Sequence, residues 1–575
     1  MQVINRKAIL VMLLIYLALA MHVVIPSMGG SGLRVPGNIV AWIFVALSVL
    51  AYWLLNLNQP IITTTTSNLI SIGILLLLLP LLYTSEKWLK EAVLQMAGIV
   101  AGLVFYFTLL QCRFSARWRV LLLNFLLFAT LVQSVVGFIQ LTLLPPNSVL
   151  MALGDEGVRP TGVFRQVNVM ASFMATGLAC SLHLLYLPQS LNTRSKTSAV
   201  IHHLMHLQQL AALVLLPAML ILLQSRAGYI GAMAVVLINF LLRARSQPRR
   251  TAVFICLIIG GILLGYILIA GADLVIPVSH DGSNLERWKI LQITLAMMMN
   301  HPVVGWGYGS FEYSFAHFAL GMTPPITGMG VITHPHNELL FGWVEGGIAA
   351  LAGYVVLAIA YFRLMVVAWR RTDKSQFTLW LVMLPFAVHT QLEYPFYMST
   401  GHWLIFLLLL SLTDSALSKR LVVTKPKIAK GIQAASIVGA CGGLGIMLST
   451  LQAQIWLTKA EQLQLRQVNI DFPQLEQQLW QTWIFQERID YDRQVNQLLQ
   501  YNASRDPKIL QSYITWSQQY LSHHVDQNVY AYRIAILHFS NKADEAEKQR
   551  HEASQIFSHD PRFQGPVAIT SREGE

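Results

Sequence analysis

Long apolar runs separated by polar segments dominate the pattern along this chain. A membrane-spanning helix needs about 20 mostly apolar residues. Thirteen candidate runs are present, centred near Leu14, Phe44, Leu76, Val100, Leu127, Ala175, Leu216, Val235, Leu263, Leu357, Met383, Phe406 and Val438. The runs near Leu76 and Leu216 are short and each contains a proline, so they are the weakest candidates. The pattern therefore predicts an all-α, polytopic membrane protein with about 13 transmembrane helices.

The pattern changes after the last apolar run, where residues 453–575 become polar and rich in glutamine. We therefore predict a transmembrane domain over 1–452 and a soluble helical domain over 453–575. Within 528–561, an apolar face that includes Tyr530, Ile534 and Leu537 is followed by a turn near Asn541. That spacing resembles a helical hairpin of the tetratricopeptide (TPR-like) type. Such a hairpin is either a small helical cap or a docking surface for a protein partner.

The charge distribution predicts how the chain crosses the membrane. The chain is 55% hydrophobic and 12% charged, with a net charge of +12. Basic residues cluster in alternate loops, near 6–7, 113–119, 194–196, 243–250, 370–374 and 419–430. The positive-inside rule places these loops in the cytoplasm. The loops at 26–37, 84–91, 145–167, 273–337 and 393–401, the connection at 224–227 and the tail then face outward. Because the basic residues follow this alternation, nucleic acid is not indicated as a partner.

The four cysteines offer no sign of a metal site or a disulfide framework. Cys112, Cys180, Cys256 and Cys441 all lie in apolar segments without ligand spacing. We interpret them as core packing residues.

The outward loop that ends at Asn168 carries groups suited to an anion. Arg159 offers a planar guanidinium with several donors, which matches phosphate oxygens. Gln166 and Asn168 stand where an apolar helix begins, and free backbone N–H groups there favour negative charge. The alternative is that Asn168 caps the helix and Arg159 contacts lipid headgroups.

Two further arginines lie on the predicted outward side. Arg226 sits between two apolar runs with almost no loop, where a charge is costly unless it faces a polar cavity or a partner. Arg287 precedes Trp288 in the sixty-residue loop, a length typical of a binding lid. A snorkelling Arg226 and a membrane-surface helix around Arg287 are the alternatives. The glycine-rich segment 305–309 lacks the context of a nucleotide site.

The end of the long loop carries two histidines, His334 and His336, followed by Asn337. We expect Pro335 in the first turn of the next helix, with His336 near its N-terminus, where the dipole disfavours the protonated ring. A neutral histidine can serve as a general base. A metal site is a weak alternative, because no outward carboxylate has zinc-motif spacing.

Three more residues complete the candidate site. Glu345 lies inside the following helix and needs a partner, for which Arg226 is the candidate. A structural ion pair is at least as well supported there as catalysis. Glu393 and Tyr394 stand at the outward end of a later span. They are either interfacial anchors or part of the same site.

These motifs, in this order, resemble the bacterial O-antigen ligase and polymerase superfamily. They are most similar to its protein O-oligosaccharyltransferase, or PglL-type, branch. The resemblance covers about residues 1–450, with the tail similar to the extra region of that branch. It rests on segments 159–168, 225–228, 305–309, 333–340, 345–347 and 393–396.

The resemblance implies a multi-pass enzyme of the bacterial inner membrane with a cytoplasmic N-terminus. Its long loop, active site and tail would be periplasmic. The implied reaction transfers a preassembled oligosaccharide from undecaprenyl pyrophosphate to a Ser or Thr hydroxyl of a periplasmic or pilin protein. It implies Arg226 and Arg287 on the pyrophosphate and His336 as the base. Other residues would bind substrate: Arg159, Gln166, Asn168, His334, Asn337, Glu345, Glu393 and Tyr394. No cofactor or metal is implied.

Two alternatives remain at this stage. An O-antigen ligase acting on lipid A core, or an O-antigen polymerase, would share the donor chemistry and differ only in acceptor. A secondary transporter could use Arg226, Glu345 and His336 as a transport path. Against a transporter, these groups collect at one membrane face, and no inverted repeat is visible.

Overall fold

The computed structural model describes residues 6–57, 59–144, 159–187, 196–272, 281–423, 426–465, 472–478 and 482–565. The predicted loop segments at 145–158 and 273–280 lie outside them. The described chain is nearly all helical. Its α-helices are α1 (Lys7–Ala18), α2 (Pro36–Leu55), α3 (Thr65–Leu78), α4 (Leu89–Cys112), α5 (Ala116–Thr142), α6 (Val167–Leu185), α7 (Lys196–Leu223), α8 (Arg226–Arg243), α9 (Pro248–Ala272), α10 (Asp281–Asn300), α11 (Phe311–Gly321), α12 (Glu338–Trp369), α13 (Ser375–Leu381), α14 (Leu384–His389), α15 (Pro395–Met398), α16 (Thr400–Leu417), α17 (Pro426–Gln462), α18 (Phe472–Gln478), α19 (Gln486–Ser504), α20 (Pro507–Leu521), α21 (Gln527–Phe539) and α22 (Ala543–Ile556).

Each of the thirteen apolar runs coincides with helix. Among the described residues, eleven helices are long and apolar enough to cross a membrane. The other two runs form the shorter apolar helical segments Lys7–His22 and Ser375–His389. The all-α, polytopic membrane fold is therefore confirmed, and the count of thirteen spans stays a prediction.

Prolines and one glycine lie within three of the predicted spans, with different effects. Pro217 lies inside α7, which nevertheless runs unbroken. Pro80 falls in a 3-10 turn, Leu79–Leu82, that finishes α3. Gly347 interrupts α12 with a φ of 64° and a ψ of −155°, a conformation that glycine adopts without a Cβ penalty. The span after the histidine motif is thus two helical pieces joined by a sharp kink.

Helix α6 is the centre of the transmembrane bundle. Every residue from Val169 to Leu185 is buried, and α6 packs against α5, α7 and α8. A helix that is apolar and buried on all sides has a fixed position. Its first turn therefore offers a rigid platform for Asn168.

The loops separate into two groups, one at each end of the bundle. At one end Arg165 donates a 3.0 Å hydrogen bond to the carbonyl of Ser27, which joins two loops expected to face outward. At the other end Arg6 donates a 2.8 Å bond to the carbonyl of Arg113, which joins two basic loops. Strands β1 (Ile62–Thr63) and β2 (Leu421–Val422) also pair antiparallel. This separation agrees with the alternation of charge; which compartment each end faces stays a prediction.

The tail folds as a stack of helices, α19 to α22. The predicted hairpin is present as α21 and α22, which pack on each other, and α21 also packs on α20. Helix α17 continues through the predicted domain boundary at 452 and 453 to Gln462. The TPR-like assignment and the division into domains stay predictions.

Two of the four cysteines differ from expectation. Cys112 and Cys180 are buried as predicted, but Cys256 and Cys441 are exposed on α9 and α17. Core packing is therefore wrong for these two. An apolar helix surface suffices to explain them, since a spanning helix presents apolar residues to lipid as well as to its neighbours.

Candidate functional site

The carboxylate of Glu393 joins three of the predicted site residues. Its Oε1 atom contacts the guanidinium of Arg287 and accepts a 3.3 Å hydrogen bond from Asn168 Nδ2. Its Oε2 atom lies 3.1 Å from His336 Nδ1. The Glu393 side chain is 8% exposed, against 34% for Arg287 and 27% for His336. A nearly buried carboxylate thus holds a cation and an imidazole that both remain open to solvent.

A second set of contacts brings Arg226 to the same place. Ser225 Oγ donates a 2.7 Å bond to Asn168 Oδ1, and the adjacent Arg226 donates to Asn284 Oδ1. Asn284 precedes Arg287 by three residues on α10, so both lie on one face of that helix. The contacts therefore form a closed ring that runs through four loops far apart in the sequence. We call this ring, together with His336 attached to it through Glu393, the Glu393 cluster; its members are Asn168, Ser225, Arg226, Asn284, Arg287, His336 and Glu393.

Four helices begin at the Glu393 cluster. Gln166 caps α6 through a 2.9 Å bond from Val169 N, and Ser225 caps α8 through a 3.3 Å bond from Gly228 N. Helix α10 begins at Asp281, and α12 begins directly after its cap, Asn337. Each helix N-terminus carries a partial positive charge and free backbone N–H groups. With two guanidinium groups added, the cluster is suited to a multiply charged anion.

The contact with Glu393 defines how the His336 ring is oriented. A carboxylate paired with a guanidinium acts as an acceptor, so Nδ1 of His336 donates to it. The neutral ring then keeps its lone pair on Nε2. His336 itself has a φ of 56°, a left-handed conformation uncommon for a non-glycine residue. Local strain of this kind concentrates at functional sites.

His334 occupies a different environment. It is 7% exposed and stacks on Tyr394 at 3.8 Å, with Phe341 and Tyr397 at 4.7 and 4.8 Å. Burial, with a smaller effect of nearby His336, lowers the pKa of His334 to about 3. It is therefore neutral at physiological pH and supports the loop by packing. Burial likewise raises the pKa of the Tyr394 hydroxyl, with a further contribution from Glu393.

Asn337 fixes the start of α12. Its Oδ1 accepts 3.0 Å bonds from Leu339 N and Leu340 N, and its Nδ2 donates to the carbonyl of Gln391 at 3.1 Å. The expectation that Pro335 occupies the first turn is wrong, because the helix begins at Glu338. Asn337 supplies the capping oxygen, and the left-handed backbone at His336 turns the chain before the helix.

Glu345 stands apart from the Glu393 cluster, and the expected ion pair with Arg226 is wrong. Its Oε1 accepts a 3.0 Å bond from Phe311 N at the first turn of α11. Its backbone carbonyl, freed by the kink at Gly347, accepts a 2.8 Å bond from Gly307 N. A buried helix N-terminus thus supplies the partner that a buried carboxylate needs.

The glycine-rich segment 305–309 therefore has a structural role. A Cβ on Gly305 would lie 2.3 Å from the carbonyl oxygen of Glu345, and one on Gly347 would lie 2.1 Å from that of Val303. The backbone near Gly305 and the backbone near Gly347 therefore lie closer together than a Cβ atom at either glycine would allow. This contact attaches the long loop to the kink of α12.

The remaining predicted residues lie beside the cluster. Arg159 Nη1 is 3.5 Å from the carbonyl of Leu223, next to the turn that carries Arg226. Gln166 is the N-cap of α6, as described above. The capping alternative for Asn168 is wrong, because its side chain faces Ser225 and Glu393.

Sequence reasoning did not assign roles to Ser225 and Asn284. Ser225 precedes an apolar helix in a position typical of an N-cap, and that signal was available. Asn284 could have been found from its three-residue spacing to Arg287 on a helix. Their contacts with other loops could not be read from local pattern.

Comparisons with known protein families bear on this arrangement. Residues 211–355 match the family model described as O-antigen ligase, and residues 377–569 match the one described as virulence factor membrane-bound polymerase, C-terminal. Residues 160–185 match the model described as protein glycosylation ligase. No curated protein matches the chain. The three matched segments together contain every residue of the Glu393 cluster.

Proposed function

The chain belongs to the O-antigen ligase and polymerase superfamily, on its PglL-type branch, and we propose on that premise that it glycosylates proteins. In this proposal a preassembled oligosaccharide moves from undecaprenyl pyrophosphate to a Ser or Thr hydroxyl of a periplasmic or pilin protein. The coarser description, a multi-pass membrane enzyme that transfers glycosyl groups, follows from the family and the apolar helices.

The observation that carries the proposal is the double role of Glu393. One carboxylate holds a guanidinium at Oε1 and an imidazole at Oε2. A transferase with a pyrophosphate leaving group needs positive charge on one side of the reacting carbon and a base on the other. The Glu393 cluster brings both within the span of one side chain.

Arg226 and Arg287 would bind the pyrophosphate, assisted by the N-termini of α6, α8, α10 and α12. Arg287 directs one arm of its guanidinium to Glu393 and has further N–H donors for phosphate oxygens. As the bond between sugar and phosphate breaks, negative charge grows on the leaving oxygen. Donors already in place stabilise that charge without reorganisation.

His336 would accept the proton of the acceptor hydroxyl. The hydroxyl oxygen forms the new bond to the anomeric carbon while its proton passes to His336 Nε2. The bond from that carbon to the pyrophosphate breaks, and undecaprenyl pyrophosphate leaves with the electron pair. Glu393 stabilises the imidazolium that forms. The donor is already activated, so the step requires neither nucleotide nor metal.

The other residues of the site would shape the donor pocket. Asn168, Arg159 and Gln166 lie at the α6 and α8 entrances, and Tyr394 with His334 forms a stacked aromatic wall. Asn337 holds the start of α12. Glu345 is left out of substrate binding, because its carboxylate is turned to the backbone of α11. We further propose that the protein lies in the bacterial inner membrane, with this end and the tail in the periplasm.

The proposal is tested by mass spectrometry of periplasmic and pilin proteins from a deletion strain. Loss of a glycan from Ser or Thr, restored by the wild-type gene and not by His336→Ala, supports it. Equal amounts of the His336→Ala protein in the membrane exclude failed insertion as the cause. An unchanged set of glycopeptides in the deletion strain would overturn the proposal.

A second candidate is supported by the matched models described as O-antigen ligase and membrane-bound polymerase. The same donor site would then serve a saccharide acceptor in place of a protein. In that case the deletion strain loses O-antigen, or long O-antigen chains, from lipopolysaccharide and retains its glycoproteins.

A further inference from the structure

The tail is fastened to the segment that leads into the histidine motif. The backbone N–H groups of Gly328 and Gly330 donate to the carbonyls of Gln555 and Ile556, at 2.8 and 3.0 Å. Only Val331 and Ile332 separate Gly330 from Thr333, whose hydroxyl lies 3.0 Å from His334 Nδ1. The end of α22 is therefore hydrogen-bonded to the chain just before the proposed base.

His524, which lies between α20 and α21 in the tail, joins the long loop to the tail helix α19. His524 Nε2 lies 3.1 Å from Glu487 Oε2 on α19, and its Nδ1 lies 3.5 Å from Glu312 Oε1 on α11. Glu312 Oε1 also accepts a 2.9 Å bond from Val525 N. Burial alone would lower the pKa of His524, but hydrogen bonds and charge from the two glutamates outweigh it and raise the pKa to about 10. At neutral pH a cation thus lies between two carboxylates.

A second ion pair and apolar packing reinforce the contact. His317 Nε2 on α11 lies 3.1 Å from Glu552 Oε1 on α22, and Tyr530 donates a 2.7 Å bond to the same oxygen. Ala316 of α11 is 5% exposed and belongs to the apolar core of the tail, with Leu320 packed against it. We call the contacts of Glu312, His317, Gly328 and Gly330 with the tail the loop clamp.

The other side of the clamped segment packs on the membrane domain. Ile326, Met329 and Ile332 pack against the apolar cluster that contains Phe341 and Val344 of α12. The segment therefore lies between the tail and α12. Its end enters the Glu393 cluster at His336, which has a left-handed backbone conformation.

We propose that the tail acts in the reaction by positioning His336 through the loop clamp, with His524 as the central positioning residue. This inference rests on the proposed role of His336 as the base. Such positioning differs from docking of the acceptor by the tail. The loop clamp would affect the geometry of His336 at every acceptor concentration. A displacement of a catalytic base by about 1 Å can lower the reaction rate roughly 100-fold.

The first experiment measures how well ordered the clamped segment is, and it does not require enzymatic turnover. Hydrogen exchange of the full-length protein is followed by mass spectrometry in wild type, His524→Gln and His524→Lys. The control is His559→Gln, which alters an exposed tail histidine outside the clamp. We expect the rate of amide hydrogen exchange in peptides covering 326–336 to rise about tenfold in His524→Gln. The reason is that this substitution removes hydrogen bonds between charged groups, which are stronger than those between neutral groups. The exchange rate should return toward wild type in His524→Lys, which keeps the cation. Unchanged exchange in His524→Gln would overturn the clamp.

The second arm measures transfer at varied acceptor concentration. A loss of positioning predicts that His524→Gln lowers kcat about tenfold while KM for the acceptor stays within about twofold. His524→Lys should recover most of the rate. A raised KM at unchanged kcat would overturn the proposal in favour of acceptor docking by the tail. If wild type transfers no glycan at all, the proposed function fails, and the exchange arm still decides whether the clamp orders the segment.

Discussion

Substitution of Glu393 by glutamine removes the charge at the centre of the cluster with little change of shape. The amide retains one acceptor oxygen but cannot accept from Arg287 and His336 as a carboxylate does. Its NH₂ group would also point a hydrogen-bond donor at another donor, either the Arg287 guanidinium or His336 Nδ1. The His336 ring then loses the contact that orients Nδ1 and leaves Nε2 free for the acceptor hydroxyl.

The structure sets the size of the effect. A hydrogen bond to a charged group contributes about 1.5–3 kcal/mol. The Glu393 side chain is 8% exposed, but Arg287 is 34% exposed, so screening by solvent reduces its share. The contacts of Glu393 with Arg287 and His336, each taken near the lower limit of that range, together contribute about 3 kcal/mol. That corresponds to a roughly 100-fold lower kcat/KM, at about 1.4 kcal/mol for each factor of ten.

The assay is glycan transfer by purified enzyme in detergent or nanodiscs, with a lipid-linked oligosaccharide donor and a serine-containing acceptor. Glu86→Gln is the matched control, because Glu86 is an exposed carboxylate in the loop at 84–91. It should retain wild-type activity. If Glu393→Gln transfers glycan at half the wild-type rate or more, the ring of contacts around Glu393 has no role in the reaction.

Three further predictions concern the arginine, the kink and the buried histidine. Arg287→Lys should lower kcat/KM by about tenfold or more in the same assay, because a point charge cannot contact a carboxylate and a phosphate together; near-wild-type turnover would contradict this. Gly347→Ala should destabilise the protein by more than about 2 kcal/mol in thermal unfolding, since its Cβ would meet the carbonyl of Val303 at a positive φ. Gly260→Ala, which meets open space within α9, should be nearly neutral, and equal effects would refute the argument. His334 has a folded-state pKa of about 3, below the unfolded value near 6.5, so stability should be lost as pH falls from about 6.5 toward 3. His334→Phe keeps the stacking without titrating and should make the unfolding temperature less dependent on pH over that range; an unchanged slope would contradict the assignment.

Local pattern predicted much of the fold because membrane helices are dictated by local composition. Apolar run length placed all thirteen helical segments, and the hairpin of α21 and α22 followed from one apolar face and a turn. The kink at Gly347 was not predicted. It depends on a backbone contact with Val303, forty-four positions earlier in the chain, that no local window contains.

The candidate site was predictable residue by residue but not contact by contact. Arg226, Arg287 and His336 stood out because polar groups near lipid are costly and therefore informative. Their partners were not apparent. Arg226 contacts Asn284, and Glu345 contacts the start of α11. Pairing by opposite charge failed for Glu345 because a helix N-terminus, which carries no formal charge in the sequence, supplied the positive partner.

The Glu393 cluster requires that loops far apart in the sequence meet at one face of the membrane. Single cysteines at Arg226, Arg287 and His336 can be labelled with a membrane-impermeant thiol reagent in intact spheroplasts to show whether they do. The background must lack the natural cysteines, since Cys256 and Cys441 are exposed. We expect all three positions to react from outside without permeabilisation. If the Arg226 position is labelled only after the membrane is opened, while His336 reacts from outside, the two residues do not share a site.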